Sequence, residues 1–460
     1  MKRFFTILIT ALLLTGALCV SASASSFDEA AAELSAIGVF RGTASGFQLD
    51  QAPTRAQAAI MLVRLYGAEE EAKAAYDAGE LTCTFADVGE TAAPYVAWLA
   101  DKGLANGVSA DSFGAANPCT AKAYTVFLLR ALGYKDGTDF AFADAESFAA
   151  AMGLANLSLS GTFLRDHLAA LTYQALGCDL KDGSTYLLDS LIKSGAIDAE
   201  AAKPITDKIE TYRALQSVTA ETMKGCLDTD FDMKMNVTSN VKGQSAGTPL
   251  DASESMDMSG TGNAKVILDS EKGDLQMAMT YKVTADGETL DESGYWIKDG
   301  KMYVQSGELG YVRDIPEMTE VFQATAMSDQ SSAILLPYLK SATAKTSGTD
   351  TIYTLTLNNV LGSSMLDIGS LLAAEFGADF DIQISMEDSN FTYTVAKDGQ
   401  LKNAAVALNA DAAIAMKMNS DESEQAAFKI SMKMDMNMKV KATGDAVKIT
   451  YPDFSGFLEA

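Results

Sequence analysis

Pro53-Thr54-Arg55-Ala56-Gln57-Ala58-Ala59-Ile60-Met61-Leu62-Val63-Arg64-Leu65-Tyr66-Gly67 reads as one short helix that carries its own start and stop signals. Thr54 with Gln57 three residues later is a capping box, in which each side chain can satisfy a backbone N–H at the helix start. Such a cap contributes about 0.5–2 kcal/mol without any ligand. Gly67 lies just past the last apolar residue, where a left-handed cap is wanted. Between them the apolar run Ala58 to Val63 supplies the buried face.

The same plan recurs twice further along the chain. Thirteen residues after Thr54, Thr120 and Leu164 stand Gly67, Gly133 and Gly177, and ten residues after each stand Arg64, Arg130 and Gln174. The intervening stretches, Thr125 to Leu129 and Leu168 to Tyr173, are again apolar helices. Upstream of each lies another helix that ends at a glycine pair or its remnant: Gly38 to Gly42, Gly103 to Gly107, and Met152-Gly153-Leu154-Ala155-Asn156. A loop with an aromatic residue, Phe47, Phe113 or Phe163, joins the two helices. One such unit cannot bury its apolar face alone, but three packed together can.

Phe85-Ala86-Asp87-Val88, Tyr95, Trp98, the Gly103-to-Gly107 turn, Phe113 and the Pro53-to-Gln57 stretch together resemble the S-layer-homology repeat, over about residues 27 to 204. The resemblance implies an all-α bundle of three repeats about a pseudo-threefold axis. It further implies docking on secondary cell-wall polysaccharide in grooves between repeats, through the motif arginine, with Arg55, Gln57, Asp87, Trp98 and Arg165 as the polysaccharide-binding residues. From residue chemistry alone Arg55 has two possible roles: its planar fork suits an acidic sugar substituent, and it suits an intramolecular partner equally well. The second repeat departs from the motif, reading Thr120-Ala121-Lys122-Ala123, and the third, Leu164-Arg165-Asp166-His167, keeps the arginine but loses the threonine cap. At most two of three grooves therefore keep the charged contact.

Near Pro204 the period changes from helical to two. Phe428, Ile430, Met432, Met434, Met436, Met438 and Val440 share one parity, with Lys429, Ser431, Lys433, Asp435, Asn437 and Lys439 on the other. This predicts a long antiparallel strand, dry on one face and wet on the other. The pattern recurs from Phe231 to Val237, Leu275 to Val283, Phe380 to Met386, Phe391 to Val395 and Val406 to Met418. Asp299-Gly300 and Asp398-Gly399 mark hairpin turns. Helices are expected at 318–341 and 363–376, covering the dry face of a curved sheet. Eighteen of the 21 methionines lie in this half, mostly on the dry parity. They either fill a solid core or line a cavity for an apolar ligand, with Met233, Met235, Met277, Met279, Met416, Met418, Met432, Met434 and Met436 as its wall. The layout resembles the open half-barrel of bacterial lipoprotein carriers and related lipid-binding envelope lipoproteins, which implies a lipid-like ligand.

Composition bounds the rest. Lys2-Arg3, the uncharged run Phe4 to Val20 and Ala22-Ser23-Ala24 form an export signal cleaved after residue 24. No later segment is long and apolar enough to span a bilayer. A net charge of −26 excludes nucleic acid as a partner and denies an anionic wall polymer any bulk attraction, so specific pockets are required. Cys83, Cys119, Cys178 and Cys226 permit three pairings or four buried thiols, with thiols the simpler reading. A single histidine, His167, provides neither a zinc site nor a triad, and reads as a surface or capping residue. There is no phosphate or calcium loop, and no cofactor, metal site or catalytic residue is expected. The expected organisation is multidomain: signal peptide 1–24, helical repeats 25–204, antiparallel β-rich domain 205–460. The expected function is that of a secreted, non-enzymatic protein docked on the cell wall at the cell surface. The alternative is a soluble carrier or sensor of lipid or other apolar ligands, with the repeats as a passive scaffold.

Overall fold

The computed structural model of the protein describes residues 27–154, 162–223, 226–245, 248–269, 274–314, 336–358, 379–386, 388–417 and 425–459. The expected leader, the helix expected at 363–376, and residues 318–335 of the other expected helix lie outside them. The described residues up to Glu210, together with 336–340, form one compact unit, and the remainder from Thr211 onward form a second.

The first unit is helical. Its helices are α1 (Asp28–Ala36), α2 (Arg55–Leu65), α3 (Glu69–Asp77), α4 (Ala93–Asp101), α5 (Ala121–Ala131), α6 (Ala145–Ala151), α7 (Arg165–Leu176), α8 (Leu187–Lys193) and the start of α9 (Ala199–Met223). The unit boundary falls inside α9, beyond Pro204, which sits within that helix. The repeats pair α1 with α2, α4 with α5 and α6 with α7. Gly38, Gly103 and Gly153, which follow the first helix of each pair, all have φ between 67° and 79°. Thr54 and Thr120 cap their helices through Gln57 N–H and Ala123 N–H, and at Thr54 the full capping box forms. Leu164 has no side-chain acceptor; the Leu164 N–H donates instead to His167 Nδ1 at 3.1 Å.

Hydrogen bonds between repeats also recur. Arg55 N–H and Ala56 N–H donate to Asn117 O and Ala115 O of the second repeat. Arg165 N–H and Asp166 N–H donate to Gln51 O and Leu49 O of the first. The acceptors are equivalent, 66 residues apart in sequence. α2 and α7 thus spend their first free N–H groups on the loop of the next repeat, which answers the orphan-donor problem of a helix start.

Two sequence expectations need correction. Gly67 and Gly133 take the left-handed cap at φ +62° and +92°, but Gly177 has φ −90°. It sits instead against a 3₁₀ turn, where a Cβ would lie 3.2 Å from Leu336 Cδ2. The helix expected over 318–341 is, across its described residues, a 3₁₀ turn at Leu336–Tyr338 followed by a strand. Pro337 offers no N–H to continue a helix. The turn is held in the helical unit: Leu336 N–H donates to Gln174 Oε1 at 2.8 Å, and the Tyr338 ring packs 5.2 Å from Phe27.

The second unit is one sheet of thirteen strands: β1 (Leu227–Ser245), β2 (Thr248–Asp269), β3 (Asp274–Ala285), β4 (Glu288–Lys298), β5 (Lys301–Ser306), β6 (Leu309–Asp314), β7 (Leu339–Ser347), β8 (Asp350–Leu357), β9 (Asp379–Met386), β10 (Ser389–Val395), β11 (Leu401–Lys417), β12 (Gln425–Thr443) and β13 (Leu458–Glu459). The order is β13-β6-β5-β4-β3-β2-β1-β12-β11-β10-β8-β7, with β9 on β11, and the path stays open among the described residues. The pairings among β1–β6, β8–β12 and between β1 and β12 are antiparallel, and β13 pairs with β6 in parallel. The alternation expected along β12 holds: Met432, Met434, Met436 and Met438 are half-buried, and the lysines, Asp435 and Asn437 between them are exposed. In register, Leu355, Phe391, Val406, Met436, Met233, Gly260 and Val283 form one apolar row across seven strands. Asp299 and Gly300 both have positive φ, as a two-residue hairpin between twisted strands requires. The opposite face is not uniformly wet. Near β4 and β5 the C-terminal segment covers it, with Phe454 stacked on Tyr303 at 3.8 Å and Phe457 near Trp296.

Candidate functional site

The two motif arginines are set by the same local chemistry. Each is the first residue of its helix, and the bonds from the helix start to the neighbouring loop aim its side chain across a repeat boundary. Arg55 Nε donates to Phe113 O at 2.9 Å and Arg55 Nη2 to Asn106 O at 2.7 Å. Arg165 Nε donates to Phe47 O at 2.9 Å and Arg165 Nη2 to Arg41 O at 3.2 Å. Phe113 and Phe47 are equivalent loop aromatics, and Asn106 and Arg41 are equivalent turn residues. Both arginines therefore brace the adjoining repeat. They differ in what covers them: Arg55 lies against two rings, Phe113 at 4.8 Å and Phe127 at 4.7 Å, whereas Arg165 lies against Phe40 at 5.0 Å.

Beside Arg165 the boundary of the third and first repeats opens into a groove of about 190 Å³. Arg41, Arg64, Arg165, Gln57 and Thr43 provide its polar lining, and Phe40, Pro53, Ile60 and Met61 much of the apolar part. Among the described residues, the carboxylate paired with these guanidiniums is Glu69, 2.8 Å from Arg41 and 3.4 Å from Arg64. Burial alone would raise the Glu69 pKa; hydrogen bonding and charge from Arg64, the Tyr95 hydroxyl and Arg41 together bring it below the usual value. Burial, and after it the like charge of Arg64, draws Arg165 below the ordinary guanidinium value. Arg165 Nη1 has no protein partner among the described residues. Three guanidiniums against one carboxylate leave a local positive excess in an acidic chain. A larger recess of about 560 Å³ lies against Tyr66, Leu132, Leu180 and Leu187, and its Lys181 is already paired with Asp139 at 2.7 Å.

The remaining residues expected to bind polysaccharide have mainly intramolecular roles. The Asp87 carboxylate accepts from the Phe113, Gly114 and Ala115 N–H groups at 2.7–3.0 Å and from the Ser112 hydroxyl, and these bonds hold its pKa at about 2. It organises the loop that Arg55 grips. Trp98 is buried, and its indole N–H donates to Glu71 at 3.0 Å. Gln57 closes the α2 capping box and also reaches the groove rim. His167 is buried, and burial lowers its pKa. Cys83, Cys119, Cys178 and Cys226 are all free thiols, and burial pushes Cys119 up to about 11.

On the sheet, Met235 is buried with Val237, Met258 and Ala285, and Met432 and Met434 pack against that cluster. Met277 packs on a second cluster around Ile297 and Met302. Met233, Met279 and Met436 are half-buried on the same face. The Met416 side chain and all of Met418 lie outside the described residues. Sequence reasoning notes Arg64 only as a repeat marker and misses Arg41 as a groove residue and Glu69 as its partner. The signal for Arg41 is a basic residue at the turn position that Asn106 holds in the second repeat, and it gains meaning only once the loops are folded together.

Residues 84–120 match the S-layer homology domain family, so the chain carries a module of cell-surface, cell-wall-associated proteins. The match runs from just before Phe85 to Thr120 and so covers the first helix, turn and loop of the second repeat, ending at the cap of α5. No curated protein matches the chain. Among solved structures, LprF from Mycobacterium bovis is similar over 53% of this chain and 97% of its own, at 12% identity and TM-score 0.25. The outer membrane protein OprG from Pseudomonas aeruginosa is similar over 48% of this chain and 98% of its own, at 6% identity and TM-score 0.13. At these scores neither likeness assigns a role to the sheet.

Proposed function

We propose that the helical unit docks this protein non-covalently on secondary cell-wall polysaccharide, through the groove of Arg41, Arg64 and Arg165, and displays the sheet at the cell surface. The observation that carries this is the groove itself: three guanidiniums on an open boundary, with one carboxylate among them, in a chain of net charge −26. A planar guanidinium with an unspent donor suits an acidic sugar substituent. The groove is smaller than the ~300–1,000 Å³ of pockets that engulf drug-sized ligands. It therefore suits one sugar residue or its acidic group rather than a long oligosaccharide. The role is one of binding and not catalysis; the sole histidine is committed to the backbone of Leu164.

The test is retention of the full chain on purified wall sacculi, with and without their polysaccharide. A charge-assisted hydrogen bond contributes about 1.5–3 kcal/mol. Arg165→Ala should therefore weaken retention roughly 10- to 100-fold while the far-ultraviolet circular dichroism is unchanged. Equal retention of wild type by stripped and intact sacculi removes the proposal.

The half-buried methionines support a second reading, in which the sheet's apolar face accepts a lipid-like ligand. Methionine suits surfaces that must adapt to varied apolar shapes. Native mass spectrometry of the full chain, purified without detergent from its own host, should show a bound mass that organic extraction removes. A single ligand-free mass refutes this reading.

A further inference from the structure

We infer that docking is univalent: among the described residues, the boundary of the third and first repeats is the one open to ligand, and Phe127 closes its counterpart between the first and second. The inference rests on the docking reading and adds which boundary works and why. Along α2 and α5 positions 66 apart correspond, so Gln57, Ile60, Met61 and Arg64 of the open groove become Ala123, Val126, Phe127 and Arg130 at the other boundary. Where Met61 lines the groove, the Phe127 ring lies 4.7 Å from the Arg55 guanidinium, with Phe113 at 4.8 Å. Arg55 is thus a half-buried brace whose guanidinium is engaged by two aromatic rings.

Charge follows the same division. Arg130 is paired with Asp136 at 2.9 Å, its side chain is only 8% exposed, and Asn106 stands where the open groove has Arg41. At the boundary of the second and third repeats, Ala121 replaces the arginine. Lys122 is turned onto Ala143 O at 3.0 Å, and Gln174 stands in place of Arg64. Among the described residues, the positive excess that an acidic glycan would meet therefore lies in the groove of Arg41, Arg64 and Arg165.

The exchange of Met61 and Phe127 tests this directly in the full chain on polysaccharide-bearing sacculi. Met61→Phe should close the open groove and lower retention at least tenfold, although Arg165 is untouched. Phe127→Met should uncover Arg55 and create a second contact, tightening retention at least tenfold through avidity. Adding Arg55→Ala to Phe127→Met should return retention to the wild-type value. Thermal melts and near-ultraviolet circular dichroism establish that each variant is folded; if Met61→Phe does not fold, Phe127→Met alone decides. Folded Met61→Phe with undiminished retention, or folded Phe127→Met with no gain, overturns univalence while leaving wall docking intact. Wild type that is not retained at all overturns the docking reading itself.

Discussion

Phe113, Tyr124, Phe127 and Tyr173 in the helical unit are all less than 2% exposed, whereas Met432, Met434 and Met436 on the dry face of the sheet remain half-buried. The first arrangement locks rigid rings into unique positions. Tyr124 even donates its buried hydroxyl to Thr172, whose own proton goes to Leu168 O. The second relies on an unbranched, polarisable side chain that tolerates change around it. The difference shows how one chain divides its work. A guanidinium held within hydrogen-bonding reach of two carbonyls needs an unyielding frame, and an adaptable apolar face does not.

Two substitutions sharpen or break that comparison. The larger effect is expected for Phe113→Ala, which removes a fully buried ring whose own N–H binds Asp87 and whose carbonyl binds Arg55. It should cost about 3–5 kcal/mol in urea unfolding of the helical unit. A cost below about 1 kcal/mol would mean that the repeat loops are not the rigid frame described. The smaller effect is expected for Met436→Leu in the seven-strand row, a volume-conserving exchange that should cost less than about 1.5 kcal/mol. If that conservative change cost as much as Phe113→Ala, the sheet would have to be packed as tightly as the bundle, and the contrast would fail.

The sequence was most legible where the cause of structure is local. Thr54, Gln57 and Gly67 announce α2 because each acts on backbone within its own helix terminus. The alternation of β12 is visible because burial changes with every residue along a strand. What stayed hidden has distant causes. Gly177 repeats the spacing of Gly67 yet has φ −90° and faces Leu336, a neighbour that no local pattern reveals. Asp87 and Trp98 are marked by the motif, but their bonds to the Gly114 N–H and to Glu71 depend on loops and helices that only the fold brings together. Arg55 and Arg165 look alike in sequence, and the residues that separate their roles, Phe127 and Arg41, come from other parts of the fold.

The turn at Leu336–Tyr338 has a consequence for how the protein can be divided. Because it belongs to the helical unit, that unit is not a single uninterrupted piece of sequence. A fragment ending at Glu210 would leave an empty slot beside Gly177, Gln174 and Phe27. The repeats are therefore not a portable cassette. Genetic exchange that transplanted them onto another polypeptide would have to carry a tripeptide from more than a hundred positions downstream.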